Sequence, residues 1–342
     1  MLNYNKPILV SGSTYPELAE RVVGYYPDIV LDDTERRQFP GGETYVDIKT
    51  ALNRQDVYIL QTFRNKQNGL SLNDQVVEAE LLASAALDSG AGYITSIFPY
   101  YPYSRQDRKT RGGEPISGKT TANKQKACGV SRIATMDLHA SQEQGFLDGA
   151  FNNQKMHPFI QEYLKQKIGE NAAEFTIIAP DTGGAERAKN TANALKTDME
   201  YMPKSRDKDD SSKLTRDEKF TDERKIYGKN CVVIDDIIDT AGTLVTAADI
   251  LHKIGAKSII ACATHGLFSD PAIERIKNSQ LSEIVITNTL PQAGIQEQLG
   301  DQIKVIDISR AIGEYIMRVN RGGEFVRDVP EFIVRNHGIE LI

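Results

Sequence analysis

Short runs rich in valine, isoleucine and leucine alternate with longer, mixed-polarity stretches along almost the whole chain. No other feature narrows the possible folds as far. The runs at 6–10, 57–61, 93–98, 132–136, 175–179, 231–234, 258–263 and 283–287 read as strands. Most are continuously apolar and not strictly alternating, as parallel strands covered on both faces are. Between them, the stretches 72–89, 119–128, 158–168, 185–195 and 244–254 carry helical patterning. Strand–helix alternation of this kind predicts an α/β architecture in which mostly parallel sheets are flanked by crossover helices. At 342 residues the chain exceeds one ordinary domain and divides into roughly two.

The two halves echo each other. Gly90-Ala91-x-x-Ile94, after one long helical stretch, reappears as Gly255-Ala256-x-x-Ile259 after another, 165 residues on. Either a duplicated fold or a recurrent turn accounts for this, because glycine is the usual residue at the end of a helix that precedes a strand. One stretch breaks the alternation: residues 204–225 hold 15 charged residues in 22, eight positive and seven negative. It reads as a surface connection or a solvated hairpin.

Charge and composition exclude whole classes of function. The net charge of −6 argues against nonspecific nucleic-acid binding, which needs a basic footprint. No apolar run approaches the roughly 18 residues of a membrane span. The first residues carry neither the basic segment nor the long apolar stretch of a secretory leader. Cys128, Cys231 and Cys262 are odd in number and far apart, and read as reduced thiols. A cytoplasmic protein is expected.

Four segments carry candidate chemistry. In Val232-Val233-Ile234-Asp235-Asp236-Ile237-Ile238-Asp239-Thr240-Ala241-Gly242-Thr243 an apolar strand ends in adjacent carboxylates, and a small-residue turn then opens a helix. Backbone N–H groups at that helix start, with the Thr240 and Thr243 hydroxyls, suit a phosphate. Gly242 permits close backbone approach, and Asp235 and Asp236 suit ribose hydroxyls or a metal. Helix capping by Asp239 or Thr240 explains part of the pattern, but not the two further carboxylates. The second segment, Ile177-Ile178-Ala179-Pro180-Asp181-Thr182-Gly183-Gly184, is another strand-to-helix turn, either a nest for anionic oxygens or simply a turn. In the third, His139 follows an apolar strand two residues after Asp137. His139 and Asp181 suit Mg²⁺ shared with substrate phosphates, since that ion takes only one or two protein ligands. The fourth, 105–111, places Arg105, Arg108, Lys109 and Arg111 within seven residues, a local attractor for anions. The adjacent run Gly113-Glu114-Pro115-Ile116-Ser117-Gly118-Lys119-Thr120 matches a nucleotide P-loop in letters only. It follows polar residues instead of a buried strand, and Pro115 removes a backbone donor.

Together these segments resemble the ribose-phosphate pyrophosphokinase, or phosphoribosyl pyrophosphate synthetase, family. The 235–243 turn alone indicates the wider phosphoribosyltransferase group. Ser104-Arg105-Gln106-Asp107-Arg108-Lys109, Met136-Asp137-Leu138-His139-Ala140-Ser141-Gln142, Gln144-Gly145-Phe146 and Thr264-His265-Gly266-Leu267-Phe268-Ser269 point to the synthetase. The resemblance implies two phosphoribosyltransferase-type α/β domains, 1–156 with a mobile basic loop at 103–117 and 157–318 with a charged hairpin at 204–228. A tail at 319–342 would pack back on the first. It implies transfer of the β,γ-diphosphate of ATP to the C1 hydroxyl of ribose 5-phosphate, with Mg²⁺. Phe39, Gly41, Gly42, Glu43, Arg105, Gln106, Arg108 and Lys109 would bind ATP; His139 and Asp181 would hold the metal; Asp181, Thr182, Gly183 and Gly184 would line the diphosphate path. Asp235, Asp236, Asp239, Thr240, Ala241, Gly242 and Thr243 would bind ribose 5-phosphate, and Lys204 and Arg206 would act on the transferred group. A homo-oligomer, a hexamer by resemblance, is also implied.

The chain departs from the family in places. Gly113 stands where an arginine is common, and Asn152-Asn153-Gln154-Lys155 replaces a patch that touches a neighbouring subunit's nucleotide. Residues 323–327, including Phe325 and Arg327, replace a segment that carries serines in phosphate-activated members, so weak or absent activation by phosphate is expected. The alternatives are a non-catalytic synthetase-like subunit, a phosphoribosyltransferase and, last, a P-loop ATPase.

Overall fold

The computed structural model describes residues 6–64, 66–181, 183–202, 220, 222–322, 326 and 328–342, and these fall into two compact units. The first comprises the chain to Lys155, Thr289–Pro291 and Ile308–Asn336. The second comprises Met156–Asn288, Gln292–Asp307 and His337–Ile342.

In the first unit the elements run β1 (Ile8–Ser11), α1 (Pro16–Tyr25), β2 (Val30–Leu31), β3 (Glu35–Gln38), β4 (Thr44–Asp47), β5 (Asp56–Leu60), α2 (Leu72–Asp88), β6 (Tyr93–Phe98), α3 (Ser117–Ala127), β7 (Arg132–Met136) and β8 (Ala150–Gln154). Six strands form one parallel sheet, ordered β2-β1-β5-β6-β7-β8, and β3 and β4 make a separate antiparallel hairpin. The central strands are buried because both faces carry helices, which is why their sequences lack alternation. α2 begins at a reciprocal cap in which the Asp74 N–H donates to the Ser71 hydroxyl and the Ser71 N–H donates to the Asp74 carboxylate.

The second unit runs α4 (His157–Ile168), β9 (Phe175–Ala179), α5 (Ala185–Leu195), β10 (Asp198–Tyr201), β11 (Asn230–Ile238), α6 (Gly242–Ile254), β12 (Ser258–Gly266), α7 (Ala272–Lys277), β13 (Glu283–Thr287), α8 (Ala293–Leu299) and β14 (Ile303–Ile306). Its six parallel strands are ordered β10-β9-β11-β12-β13-β14. Numbered within each sheet, both orders read 2-1-3-4-5-6, so the fold is duplicated. Gly90 and Gly255 stand at matching places, each after the helix that leads into the fourth strand, β6 or β12, and each with positive φ. One face of the second sheet packs Val233, Ala261, Ile284 and Val305 against Ala248 and Leu251 of α6.

Two further helices, α9 (Ser309–Asn320) and α10 (Val329–His337), follow the second sheet. After a brief visit at Thr289–Pro291, the lasting return to the first unit starts at Ile308, earlier than the boundary at 318 read from sequence. α9 carries the reason. It buries Ala311, Ile312, Tyr315 and Ile316, and it packs on α1 where Gly313 leaves room for the Tyr26 ring. The Tyr315 hydroxyl donates to Asn152 at 2.7 Å, and the Asn320 amide donates to Asp56 at 3.1 Å. Most of the charged stretch 204–225 lies outside the described residues; its last three residues, Glu223–Lys225, form a short turn. No helix among the described residues is long and apolar enough to cross a membrane.

Candidate active site

Two turns of the second unit meet at one edge of its sheet. β11 buries Cys231, Val232, Val233 and Ile234, then presents Asp235 and Asp236. Asp236 is buried, whereas the Asp235 side chain keeps about a third of its surface exposed. The Asp236 N–H donates to Asp235 Oδ1 at 2.8 Å. Arg187 of α5 reaches both carboxylates, with Nη1 3.9 Å from Asp235 and 3.8 Å from Asp236. Loss of hydration and the neighbouring Asp236 push the Asp235 carboxyl well above the usual carboxylate range, and Arg187 offsets only part of this. Adjacent carboxylates of this kind suit hydroxyl donors or a cation.

The chain then turns through Ala241, which takes a left-handed conformation (φ 58°), into Gly242 at the start of α6. A side chain at Gly242 would come 3.4 Å from Arg275 Nη1, the group that donates to the Thr240 carbonyl at 2.9 Å. Thr240 and Thr243 are exposed, and no side chain caps the helix. The first amides of α6 therefore face outward beside two hydroxyls, the arrangement that receives phosphate.

Next to this turn, β9 leads through Asp181 to Gly183 and Gly184. The Gly184 N–H donates to Asp181 Oδ1 at 2.8 Å, which closes the turn. A Cβ on Gly184 would stand 3.3 Å from the Ile234 carbonyl, so the turn rests directly on the end of β11. β9 and β11 are neighbours whose chains leave to opposite sides of the sheet, β9 toward β10 and β11 toward β12. Ligands of open α/β sheets bind at this switch point. The fold thus sets the Asp181, Gly183 and Gly184 turn beside Asp235, Asp236 and 239–243.

In the first unit, the loop between β6 and α3 carries the basic run. Arg105, Arg108, Lys109 and Arg111 are all exposed. Glu114 gathers the loop: its Oε2 accepts from the Thr110 N–H and hydroxyl at 2.8 Å and from the Arg111 N–H at 3.0 Å, and these donors hold its carboxyl below the usual range. The Ser117 hydroxyl donates to Gln106, and Gln142 donates to Asp107 at 2.9 Å. The second of these bonds sets the basic loop beside the segment after β7, where His139 is exposed. Asp137, at φ 40°, turns the chain out of β7, and Asn153 and Glu143 accept from the Leu138 and Ala140 N–H groups. The P-loop-like run enters α3 from this loop, with 99–112 separating it from β6, so it is no P-loop.

Phe39, Gly41, Gly42 and Glu43 form the tip of the β3–β4 hairpin. The Phe39 N–H donates to Glu43 and the Gly42 N–H donates to Phe39, both at 2.8 Å. The Arg37 guanidinium lies 4.6 Å from the Phe39 ring and 4.3 Å from the Tyr45 ring, which stiffens a half-exposed aromatic surface. A cavity of about 520 Å³ in the same unit opens elsewhere, lined by Asp56, Tyr58, Thr95, Arg132 and Asn320 near the starts of β5, β6 and β7. It holds none of the candidate residues.

Lys204, Arg206 and Thr182 lie outside the described residues. Arg187 was missed by the sequence reading; its signal, a cation one turn into the helix after paired glycines, is too common to stand out. Among the described residues no group of three or more His, Cys, Asp or Glu side chains forms a metal cage. Exposed single donors such as His139 and Asp181 fit an ion that keeps most of its ligands from water and substrate, as Mg²⁺ does.

Comparisons with known proteins match residues of both units. A family model described as the N-terminal domain of ribose phosphate pyrophosphokinase matches residues 7–129, and a second, described as a phosphoribosyl synthetase-associated domain, matches 220–326. A ribose-phosphate pyrophosphokinase of Clostridium acetobutylicum is 36% identical over 320 residues, covering 93% of this chain and 96% of that protein. The Thermotoga maritima protein of the same name is 36% identical over 317 residues, with the same coverage of each chain. The crystal structure of phosphoribosylpyrophosphate synthetase from Mycobacterium smegmatis aligns with a TM-score of 0.83 at 31% identity, over 93% of this chain and all of that one.

Proposed function

Because the chain belongs to the ribose-phosphate pyrophosphokinase family, we propose that it transfers the β,γ-diphosphate of ATP to the C1 hydroxyl of ribose 5-phosphate, giving phosphoribosyl pyrophosphate and AMP. The observation that carries this reading is the open, uncapped start of α6 beside the Asp235–Asp236 pair. A phosphate at one end and hydroxyl acceptors at the other describe a sugar phosphate.

In this reading the 239–243 turn holds the 5′-phosphate and Asp235 and Asp236 accept from ribose hydroxyls. Phe39, Gly41, Gly42 and Glu43 take the nucleotide with Arg105, Gln106, Arg108 and Lys109. The turn at 181–184 receives the moving diphosphate. Displacement at phosphorus is mainly positioning plus stabilisation of charge on the phosphoryl oxygens. Lys204, Arg206 and the basic loop supply that charge, most strongly once water is excluded. His139 and Asp181 would hold Mg²⁺, which when bound neutralises phosphoryl charge and orients the triphosphate. The enzyme would work in the cytoplasm as a homo-oligomer, a hexamer by family resemblance. With Gly113 in the basic loop, Arg111 takes over part of the missing cation's role, and the absence of serines at 323–327 leaves activation by inorganic phosphate weak.

Incubation with Mg-ATP, with and without ribose 5-phosphate, tests the reading. Sugar-dependent AMP supports it. ADP would point to an ATPase, and no turnover to a non-catalytic subunit.

A further inference from the structure

We propose that Glu78 and Arg36 are positioning residues for the nucleotide hairpin, an inference that rests on assigning its tip, Phe39 to Glu43, to ATP. The β3–β4 hairpin buries little: in β3 Arg36 alone is half-buried and its other residues are exposed, and β4 is only half-buried. β4 lies against α2, and polar anchors add to that packing in setting the hairpin's place. Asp32, 5% exposed, clamps the two feet by accepting from the Thr34 hydroxyl, the Thr50 N–H at 2.7 Å and the Lys49 N–H at 3.4 Å. Arg36 adds a tie on the β3 side: its Nη1 donates to the Ser11 carbonyl and, at 3.5 Å, to the Gly12 carbonyl.

Those carbonyls stand at the end of β1 and the start of the turn that leads to α1, and Glu78 of α2 holds that turn. Glu78 is 1% exposed. Its Oε1 accepts from the Ser13 N–H at 2.6 Å and from Gln61 Nε2 at 3.3 Å, and its Oε2 accepts from the Ser13 hydroxyl at 2.5 Å. Burial raises the Glu78 carboxyl, while Ser13, Gln61 and the Arg36 charge favour its ionised form. Carboxylate, turn and guanidinium thus make one chain of contacts from the body of α2 to the hairpin. Removing the carboxylate charge loosens the turn and leaves Arg36 without its buried counter-charge.

Two variants test this. Glu78→Gln keeps the volume and removes the charge; Arg36→Met keeps the stem and removes the guanidinium. Each is expected to weaken ATP by about tenfold in equilibrium titration, as loss of a charged hydrogen bond does. The dissociation constant of ribose 5-phosphate should stay within about twofold, and the double variant should be little worse than either single one, since the two groups act as a unit. Arg36→Lys should recover part of the affinity. Amide hydrogen exchange gives a readout independent of turnover: the Phe39 and Gly42 amides should exchange faster in both variants, and those of β5 and β6 should not. Unchanged ATP affinity and hairpin exchange, or equal losses for both ligands, would overturn the proposal. A wild-type protein that binds ATP yet makes no AMP refutes the assigned reaction alone, because titration and exchange still decide the positioning role. A wild-type protein that binds no ATP refutes both.

Discussion

The two units share a strand order, yet they treat the gap between their first and third strands in opposite ways. In the second, the ends of β9 and β11 are left open, with Asp235 and Asp236 held near Arg187 and the start of α6 uncapped. In the first, the matching ends of β1 and β5 are filled from inside. The Gln61 side chain lies against Gly12, where a Cβ would fall 2.3 Å from Gln61 Cδ, and the Glu78 carboxylate takes both donors of Ser13. The second unit leaves its helix start without a side-chain cap; the first gives both Ser13 donors to the Glu78 carboxylate. Duplicating a binding fold therefore need not duplicate the site. The first unit puts its candidate nucleotide residues on the β3–β4 hairpin and the basic loop.

That contrast sets the predictions, from the largest effect down. If the open unit carries the transfer chemistry, Lys204→Ala should slow turnover by about 10²- to 10³-fold, the range seen when a charge-stabilising donor is lost. Ribose 5-phosphate KM should barely move in steady-state kinetics; an unchanged turnover number would remove Lys204 from the chemical step. Asp235→Asn should raise ribose 5-phosphate KM by roughly 10- to 100-fold, equivalent to one charged hydrogen bond, and leave the ATP KM nearly intact. An unaltered sugar-phosphate KM would count against the open-site assignment. In the filled unit, Gly12→Ala should lower stability by about 1–3 kcal/mol through overpacking against Gln61, read as a fall in thermal midpoint. A neutral result would mean that this edge is not packed shut after all.

The smallest effect concerns pH. The Asp235 carboxyl is raised by burial and by Asp236, and Arg187 lowers it. Its ionised form accepts from sugar hydroxyls, so affinity for ribose 5-phosphate is present above the raised value and is lost as pH falls through it. Arg187→Met should move that loss upward by about one pH unit or less. A KM–pH profile that keeps its position would show that Arg187 does not tune the pair.

Much of the frame was legible because burial writes itself plainly into sequence. The eight strands read from apolar runs all occur, since parallel strands covered on both faces need apolar side chains in succession. Strands that lack that need were missed. β3 is Glu-Arg-Arg-Gln, exposed almost throughout, and β8 carries Asn152 and Asn153 at the sheet edge. The 235–243 turn was legible because adjacent carboxylates followed by small residues at a helix start have few purely structural uses. Arg187 and Glu78 were not, because a single charged residue within a helix gains meaning only from what the fold sets opposite it. The return of α9 to the first unit was misplaced for a similar reason: Gly313 fits the Tyr26 ring, a match between residues far apart in the chain.

The order in which the chain visits its units has a consequence for descent and engineering. The first unit is completed by Ile308–Asn336, and the last residues rejoin the second, where the Ile342 N–H donates to the Val305 carbonyl and Leu341 bridges Ile306. A cut after Lys155 would release a fragment without α9, and a stop codon after Asp307 would bare the surface of α1. No single crossover separates one unit from the other, so recombination that keeps both intact moves the pair as one cassette.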